Sequence, residues 1–315
     1  MSKKFAYIFP GQGSQHVGMG MELAQYFPIV RELQIHADDI LRYALSTIAW
    51  HGPVELLSDT IHTQPAIFTH SMSVLQIVQQ LFPTLKPAAV AGHSMGEISA
   101  LCAAGVFDFE NGLRIARTRG MLMKKAGELS PGGMAAVLGL EIPIIEDICQ
   151  RASRDNDPVQ IANDNCPGQV VISGTFTALD RAQQFLQDAR ARRIVRLDVS
   201  IASHSHLMAR AQDDFTLQIE AIQFTDPEIT VIGNVAALPL NTVEDVRKDL
   251  RDQLTHRVRW TETIRYLHSI GINLFIELGP GSVLSGLIKR IAPDSSTLNL
   301  SAPQDLEKLN SILLP

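Results

Sequence analysis

The 315-residue chain is short of several features that mark whole protein classes. Its three cysteines, at positions 102, 149 and 166, form no CxxC and no close Cys/His cluster. Neither a disulfide framework nor a structural zinc site is indicated, and a reducing compartment fits best. Basic residues are in deficit: 27 Lys and Arg against 33 Asp and Glu give a net charge of −6, where a nucleic-acid binder ordinarily shows a basic surplus. No apolar run approaches the roughly 18–20 residues of a membrane-spanning helix. The opening segment has two lysines but only the five-residue stretch Phe5–Phe9 before Pro10, too short for a signal peptide. A cytoplasmic protein is expected, with neither nucleic acid nor membrane as partner. Hydrophobic residues, at 45%, are enough for a substantial core.

The pattern along the chain alternates strands with helices, which implies an α/β fold built on a mostly parallel sheet. Phe5–Phe9 reads as a strand broken by Pro10-Gly11-Gln12-Gly13, and a mixed helical stretch follows to about residue 50. Pro65–Leu81 reads as a helix and Pro87–Ala91 as a short buried strand. Helices over Ile98–Ala104 and Phe109–Ala126 come next. After a break at Gly127–Gly133 the order becomes strand Met134–Leu140, helix Ile142–Ala152, strands Val159–Ala162 and Gln169–Ser173, helix Ala178–Ala189 and strand Ile194–Val199. This βαββαβ order is the ferredoxin-like signature. The expected division is a core of residues 1–130 and 199–315 with an inserted subdomain over 131–198. The remainder returns to α/β, with a strand at Thr230–Asn234, helices at Val243–Leu254 and Thr261–Ser269, and a strand at Asn273–Leu278. Ser282 is expected to cap a last helix running to Ile291.

Gly92-His93-Ser94-Met95-Gly96 fits GxSxG, the sharp strand-to-helix turn that exposes a nucleophilic serine. The pentapeptide alone is common. The apolar strand before it and the helix of small residues after it favour catalysis over a plain turn. The helix N-terminus would supply N–H groups and a positive dipole end to an oxyanion. A serine nucleophile needs a base. His93 lies within the turn and is badly directed for its neighbour. His204 and His206 follow a predicted strand, where such folds carry catalytic groups, and spacing does not choose between them. They also form an HxH pair with no third metal ligand apparent.

Arg119 shares a helical stripe with Ile115, Leu122 and Ala126, while Arg114, Arg117 and Lys124 lie on another. A cation on the apolar stripe requires a carboxylate, either a structural Asp or Glu or a bound substrate. Gly11-Gln12-Gly13-Ser14-Gln15 follows a strand but lacks the third glycine of a dinucleotide fingerprint. It reads as a tight turn or as a backbone N–H, at Gln12, facing Ser94.

Together, PGQGSQ at 10–15, TQPA at 63–66, AGHSMGE at 91–97, RTRG around Arg119, NDNCPGQVVISG at 163–174, Ser203-His204, RDQL around Gln253 and ELGPG at 277–281 resemble the malonyl-CoA:acyl-carrier-protein transacylase family over nearly the whole chain. The resemblance implies an α/β-hydrolase-like core with a ferredoxin-like insertion. It implies Ser94 as the acylated nucleophile and His204 as the base, with His206 a bystander. The histidine would be oriented by backbone carbonyl near Gln253 rather than by an Asp. The N–H groups of Gln12 and Met95 would form an oxyanion hole, and Arg119 would grip the malonyl carboxylate. Gln12, His93 and Gln253 would also line the substrate site. Malonyl would pass from malonyl-CoA to Ser94 and then to the phosphopantetheine thiol of an acyl carrier protein. No cofactor is implied beyond the CoA thioester itself, and the protein is expected to be a monomer.

Two features depart from the family pattern. Met95 stands where leucine is commonest, and Ile201-Ala202-Ser203-His204 resembles the segment of methylmalonyl-using polyketide acyltransferases. The alternatives are therefore a trans-acting polyketide acyltransferase with another extender, an acyl-carrier-protein hydrolase, or a non-catalytic carrier-binding scaffold. Arg190, Arg192, Arg193 and Arg196, and Lys289 with Arg290, are the basic clusters expected near the cleft, as docking residues for an acidic carrier.

Overall fold

The computed structural model describes residues 4–199 and 201–313. In chain order the elements are β1 (Phe5–Phe9), α1 (Met21–Tyr26), α2 (Pro28–Leu41), α3 (Leu45–His51), α4 (Val54–Ser58), α5 (Thr60–Leu81), β2 (Ala89–Gly92), α6 (Gly96–Ala103) and α7 (Phe109–Leu129). There follow β3 (Gly133–Leu138), α8 (Ile142–Ala152), β4 (Val159–Cys166), β5 (Gln169–Gly174), α9 (Phe176–Asp188) and β6 (Arg193–Arg196). The rest comprises α10 (Ala209–Glu220), β7 (Val231–Ile232), β8 (Pro239–Leu240), α11 (Val243–Gln253), α12 (Trp260–Ser269), β9 (Leu274–Leu278), α13 (Val283–Ile291), β10 (Ser296–Leu300) and α14 (Pro303–Leu313).

β1, β2 and β9 are buried on both faces, which is why they read as near-continuous apolar runs, broken only by Glu277 of β9. They belong to a six-stranded sheet of order β10-β9-β1-β2-β7-β8, parallel except for the final β7–β8 pair. Alternate residues of β1 enter opposite layers. Phe5, Tyr7 and Phe9 pack into the larger cluster with α5 and α7, whereas Ala6 and Ile8 pack with Trp260 of α12 and Ile288 of α13. The second sheet has the order β4-β5-β3-β6 and is antiparallel throughout, with α8 and α9 packed on one face. The mixed α/β architecture with a ferredoxin-like unit is thus as expected. β4 runs four residues past the expected end because its outer edge is occupied: Val258 donates to Ala162 O at 2.9 Å, and Asp164 donates to Val258 O at 2.9 Å.

Three local expectations are corrected. The helix expected from Pro65 begins at Thr60, capped by Asp59, whose carboxylate accepts from Ile61 N–H at 3.2 Å. Pro65 leaves Ile61 O without its i+4 donor, and the Arg117 guanidinium donates to that oxygen at 3.2 Å. Ser282 makes no side-chain cap. The buried Glu277 carboxylate takes that role, accepting from Leu284 N–H at 3.0 Å and Ser285 N–H at 2.8 Å. Nor is α13 the last helix, since β10 and α14 follow. The alternation of Ser296–Leu300 is too short and polar to stand out, and it becomes a strand by pairing with β9. Among the described residues no helix is long and apolar enough to cross a membrane.

Glu277→Ala should lower unfolding free energy by about 1–3 kcal/mol, the scale of a lost cap plus unsatisfied buried donors. Ser282→Ala should be nearly neutral. Urea denaturation of both variants checks this, and equal losses would contradict the assignment.

Candidate active site

The turn between β2 and α6 is forced by close backbone contact. A Cβ on Gly92 would stand 2.0 Å from the Gly96 carbonyl, and one on Gly96 would stand 2.1 Å from Phe9 O. A Cβ on Gly11 would lie 2.4 Å from His93 O, so the loop after β1 rests on the turn. Ser94 itself has φ +53°, a left-handed conformation that is costly for a non-glycine residue and holds the side chain clear of the strand. Asn234, two residues beyond β7, fastens the turn from both sides. Its Oδ1 accepts from Ser94 N–H at 2.8 Å, and its Nδ2 donates to Gly92 O at 2.7 Å.

Of the two histidines, His204 is the one that lies beside Ser94. His204 Nε2 lies 2.8 Å from Ser94 Oγ, and its Nδ1 lies 2.8 Å from the carbonyl oxygen of Gln253. A carbonyl only accepts, so Nδ1 carries the proton and Nε2 offers its lone pair to the serine hydroxyl. Burial pushes the His204 pKa down to about 3, with the Arg119 charge adding to the effect. His204 also has φ +57°, a second strained residue at the same centre. His206 is exposed at the head of a 3₁₀ turn and donates its backbone N–H to Gln160 Oε1 at 3.2 Å. Ser200, in the segment leading to these histidines, lies outside the described residues.

Arg119 is 1% exposed, as its helical stripe implied. The carboxylate partner expected of it is absent among the described residues. Its guanidinium instead donates to Gln64 Oε1 at 2.9 Å, Gln253 Oε1 at 2.8 Å and Ser94 Oγ at 3.2 Å. Three neutral oxygens share the cost of burial. Burial lowers its pKa to about 10, with Glu97 opposing, so the group remains a cation at neutral pH. A structural ion pair is therefore not what holds it.

The remaining candidates are distributed around this centre. Gln12 accepts from Thr60 Oγ1 at 3.0 Å through its side chain. Met95 occupies the N-cap position of α6, where its N–H has no partner within the helix. His93 points away from Ser94, its Nε2 2.9 Å from Asn165 Oδ1 and its ring edge against Trp260. Gln253 spans the site and donates to Ser94 O at 3.1 Å and to Glu97. The basic clusters meet at one end of the antiparallel sheet. Arg193 pairs with Leu138, Leu138 pairs with Gln169, and Gln169 Oε1 accepts from Arg290 at 2.6 Å. Arg190, Arg192, Arg193, Lys289 and Arg290 are all exposed, while Arg196 is paired with Asp180. Asn165, Glu97 and Gln64 lie inside the sequence motifs, where nothing local marks what they do. Asn234 and Asp249 carry no local signal at all. Among the described residues no group of three or more His, Cys, Asp or Glu side chains is placed to hold a metal ion.

A parallel α/β sheet with a serine on a strained GxSxG turn, a neutral histidine on its oxygen and a buried arginine beside it defines the class of acyl-transferring serine enzymes. The chain belongs to the acyl transferase domain family, which it matches over residues 6–299. It is 40% identical over 310 residues to the malonyl CoA-acyl carrier protein transacylase of Haemophilus influenzae, covering 98% of both chains. The solved malonyl CoA-acyl carrier protein transacylase of Coxiella burnetii superposes with a TM-score of 0.97 at 39% identity, covering 100% of this chain and 99% of that one. A malonyl-transacylase solved in complex with a type II polyketide acyl-carrier protein gives 0.94 at 38% identity, covering 97% and 98%.

With its pKa lowered to about 3, the His204 imidazole stays neutral throughout the mildly acidic range. Labelling of Ser94 by a serine-directed fluorophosphonate should therefore keep its rate from about pH 8 to about pH 5, since free-enzyme reactivity reports the free-enzyme pKa. A rate that halves near pH 6.5, the ordinary value for histidine, would contradict this.

Proposed function

We propose that the protein transfers malonyl from malonyl-CoA to the phosphopantetheine thiol of an acyl carrier protein, through an ester on Ser94. The observation that carries this is Arg119, a buried cation with no carboxylate partner among the described residues and 3.2 Å from Ser94 Oγ. A malonyl group on Ser94 brings a free carboxylate two carbons from the ester carbonyl, within reach of that guanidinium. The relatives' names support the same donor and acceptor.

The proton transfers use two groups already in contact, Ser94 Oγ and His204 Nε2. Ser94 Oγ adds to the thioester carbonyl as His204 Nε2 takes its proton. The oxyanion sits between the N–H groups of Gln12 and Met95. The C–S bond breaks, and the imidazolium returns the proton to the departing CoA thiolate. In the second half the carrier thiol gives its proton to His204, and its sulfur attacks the ester. Ser94 leaves and recovers the proton. Each step is addition, elimination or proton transfer, so no cofactor is proposed. The protein is proposed to act as a cytoplasmic monomer.

A methylmalonyl donor has less support, because the named relatives specify malonyl. A hydrolase that releases acyl groups to water has no use for a buried carboxylate clamp. The carrier is proposed to dock at the sheet end that gathers Arg190, Arg192, Arg193, Lys289 and Arg290. Arg290 also braces α13 to the β4–β5 turn through Pro167 O at 2.9 Å, so Arg192 and Arg193 are the cleaner pair to test.

Ser94→Ala should abolish the covalent malonyl adduct seen by intact mass. His204→Ala should slow its formation by about 10²-fold or more, and His206→Ala should be nearly silent. Arg119→Ala should cost malonyl transfer about 2–4 kcal/mol while sparing acetyl transfer. Equal losses with both donors would refute the clamp. Arg192→Glu with Arg193→Glu should raise the KM for carrier protein while malonyl-CoA acylation of Ser94 stays unchanged. The carrier step should also weaken with salt, since exposed charges are screened within about 10 Å at 0.1 M. A salt-insensitive carrier step with neutral charge reversals would exclude this docking site.

A further inference from the structure

Behind the reacting groups lies a pair of carboxyls that the steps above do not use. Glu97, on the first turn of α6, is fully buried, and Asp249, on α11, is nearly so. Both converge on one donor: Asn234 N–H lies 3.2 Å from Glu97 Oε1 and 3.0 Å from Asp249 Oδ2. The other Asp249 oxygen accepts from Val235 N–H at 3.3 Å, and Glu97 Oε2 accepts from the Gln253 side-chain amide. The charged groups facing the pair are Arg119 of α7, on the Glu97 side, and Asp252 of α11, on the Asp249 side.

Two carboxylates sharing one N–H in a buried site cannot both be charged cheaply, and a single proton between them removes the repulsion. Burial and the Asp249 charge raise the Glu97 pKa well above the usual carboxylate range, and burial raises that of Asp249. One proton also leaves one negative charge near the buried Arg119 guanidinium.

We propose that Glu97 and Asp249 form a carboxyl pair that shares one proton and positions the catalytic centre. The pair acts through two amides. By accepting from Gln253 Nε2, Glu97 fixes that amide with Oε1 toward Arg119 and holds the residue whose carbonyl sets the His204 tautomer. By accepting from Asn234 N–H, the two carboxyls hold the side chain that fastens Ser94 N–H and Gly92 O. Without Glu97 the Gln253 amide keeps only Ser94 O as an acceptor and is held less firmly against turning its NH₂ toward Arg119, donor against donor. Glu97 and Asp249 are thus positioning residues that touch no reacting atom.

The proposal bears on the Ser94 chemistry proposed above, so its test uses two reagents. One is malonyl-CoA. The other is a fluorophosphonate, whose fluoride Ser94 Oγ displaces and which needs no malonyl specificity. Glu97→Gln keeps the size of the acid, an oxygen to accept from Gln253 and an NH₂ to donate to Asp249 in place of the shared proton, with Asn234 N–H still accepted by Asp249, and should retain both rates within about threefold of wild type. Glu97→Met keeps the bulk without the hydrogen bonds and should lose about 10²-fold in both, the scale of a misoriented catalytic group. It should also narrow the rate ratio of malonyl- to acetyl-CoA, because Arg119 loses its oriented acceptor. Infrared difference spectra of wild type minus Glu97→Gln in D₂O at neutral pH should contain a protonated-carboxyl C=O band. Loss of activity in Glu97→Gln equal to that in Glu97→Met, or a difference spectrum with carboxylate bands only, would overturn the shared proton. Full activity of Glu97→Met would overturn the positioning role. Reaction of the wild type with the fluorophosphonate but not with malonyl-CoA would refute the malonyl assignment and leave this test intact.

Discussion

Gln253 joins His204, Arg119 and Ser94 through one residue. Its backbone carbonyl accepts from His204 Nδ1, its side-chain oxygen accepts from Arg119, and its side-chain amide donates to Ser94 O and to Glu97. Its position on the chain explains why the backbone oxygen is available. Gln253 is the last residue of α11, so its carbonyl belongs to the final turn, where helical oxygens have no intrahelical partner. The same turn is the negative end of the helix dipole, which favours an imidazolium when one forms. The far end of α11 is fixed by a capping box between Thr242 and Asp245. A well-anchored helix thus delivers a directed oxygen where many serine enzymes use an aspartate.

The close approach at the turn is the second constraint, and it is independent of the first. Gly92, Gly96 and Gly11 let β1, β2 and the start of α6 come within backbone contact. That contact holds Ser94 in a left-handed conformation, and the Asn234 clamp prevents relaxation. Strain of this kind costs about 1–3 kcal/mol for each such residue and persists only where the surroundings fix it. Here two residues carry it, Ser94 and His204, and they are the two in direct contact through Oγ and Nε2.

What could be read from the sequence was what is local or periodic. The turn, the burial of Arg119, the βαββαβ order and the even-buried strands of the parallel sheet all follow from spacing within one element or its neighbour. What could not be read depends on contacts across long stretches. His204 differs from His206 because a helix end 49 residues later faces only one of them. Asn234 sits after a two-residue strand in a segment of no marked pattern, and its partners are 140 residues away. Asp249 looks like any exposed helix acid until α11 is laid against α6. Even where burial was foreseen, the partner was not. A cation on an apolar stripe called for a carboxylate, and the fold answered with two glutamine oxygens and a serine.

That answer and the missing triad aspartate have one physical origin. A carboxylate at the Gln253 carbonyl would make His204 a stronger base, but it would also stand close to Arg119, whose guanidinium already contacts the side chain of the same residue. The two would pair, and the cation would no longer be open to an incoming carboxylate. The chemistry tolerates the weaker base. A thiol has a pKa near 8.5, so a thiolate departs with little help from a proton, unlike an amine. Neutral carbonyl and amide oxygens can orient His204 and Arg119 without neutralising either. The Glu97 and Asp249 carboxyls stand a residue further back, behind Gln253, whose amide lies between Glu97 and the buried guanidinium.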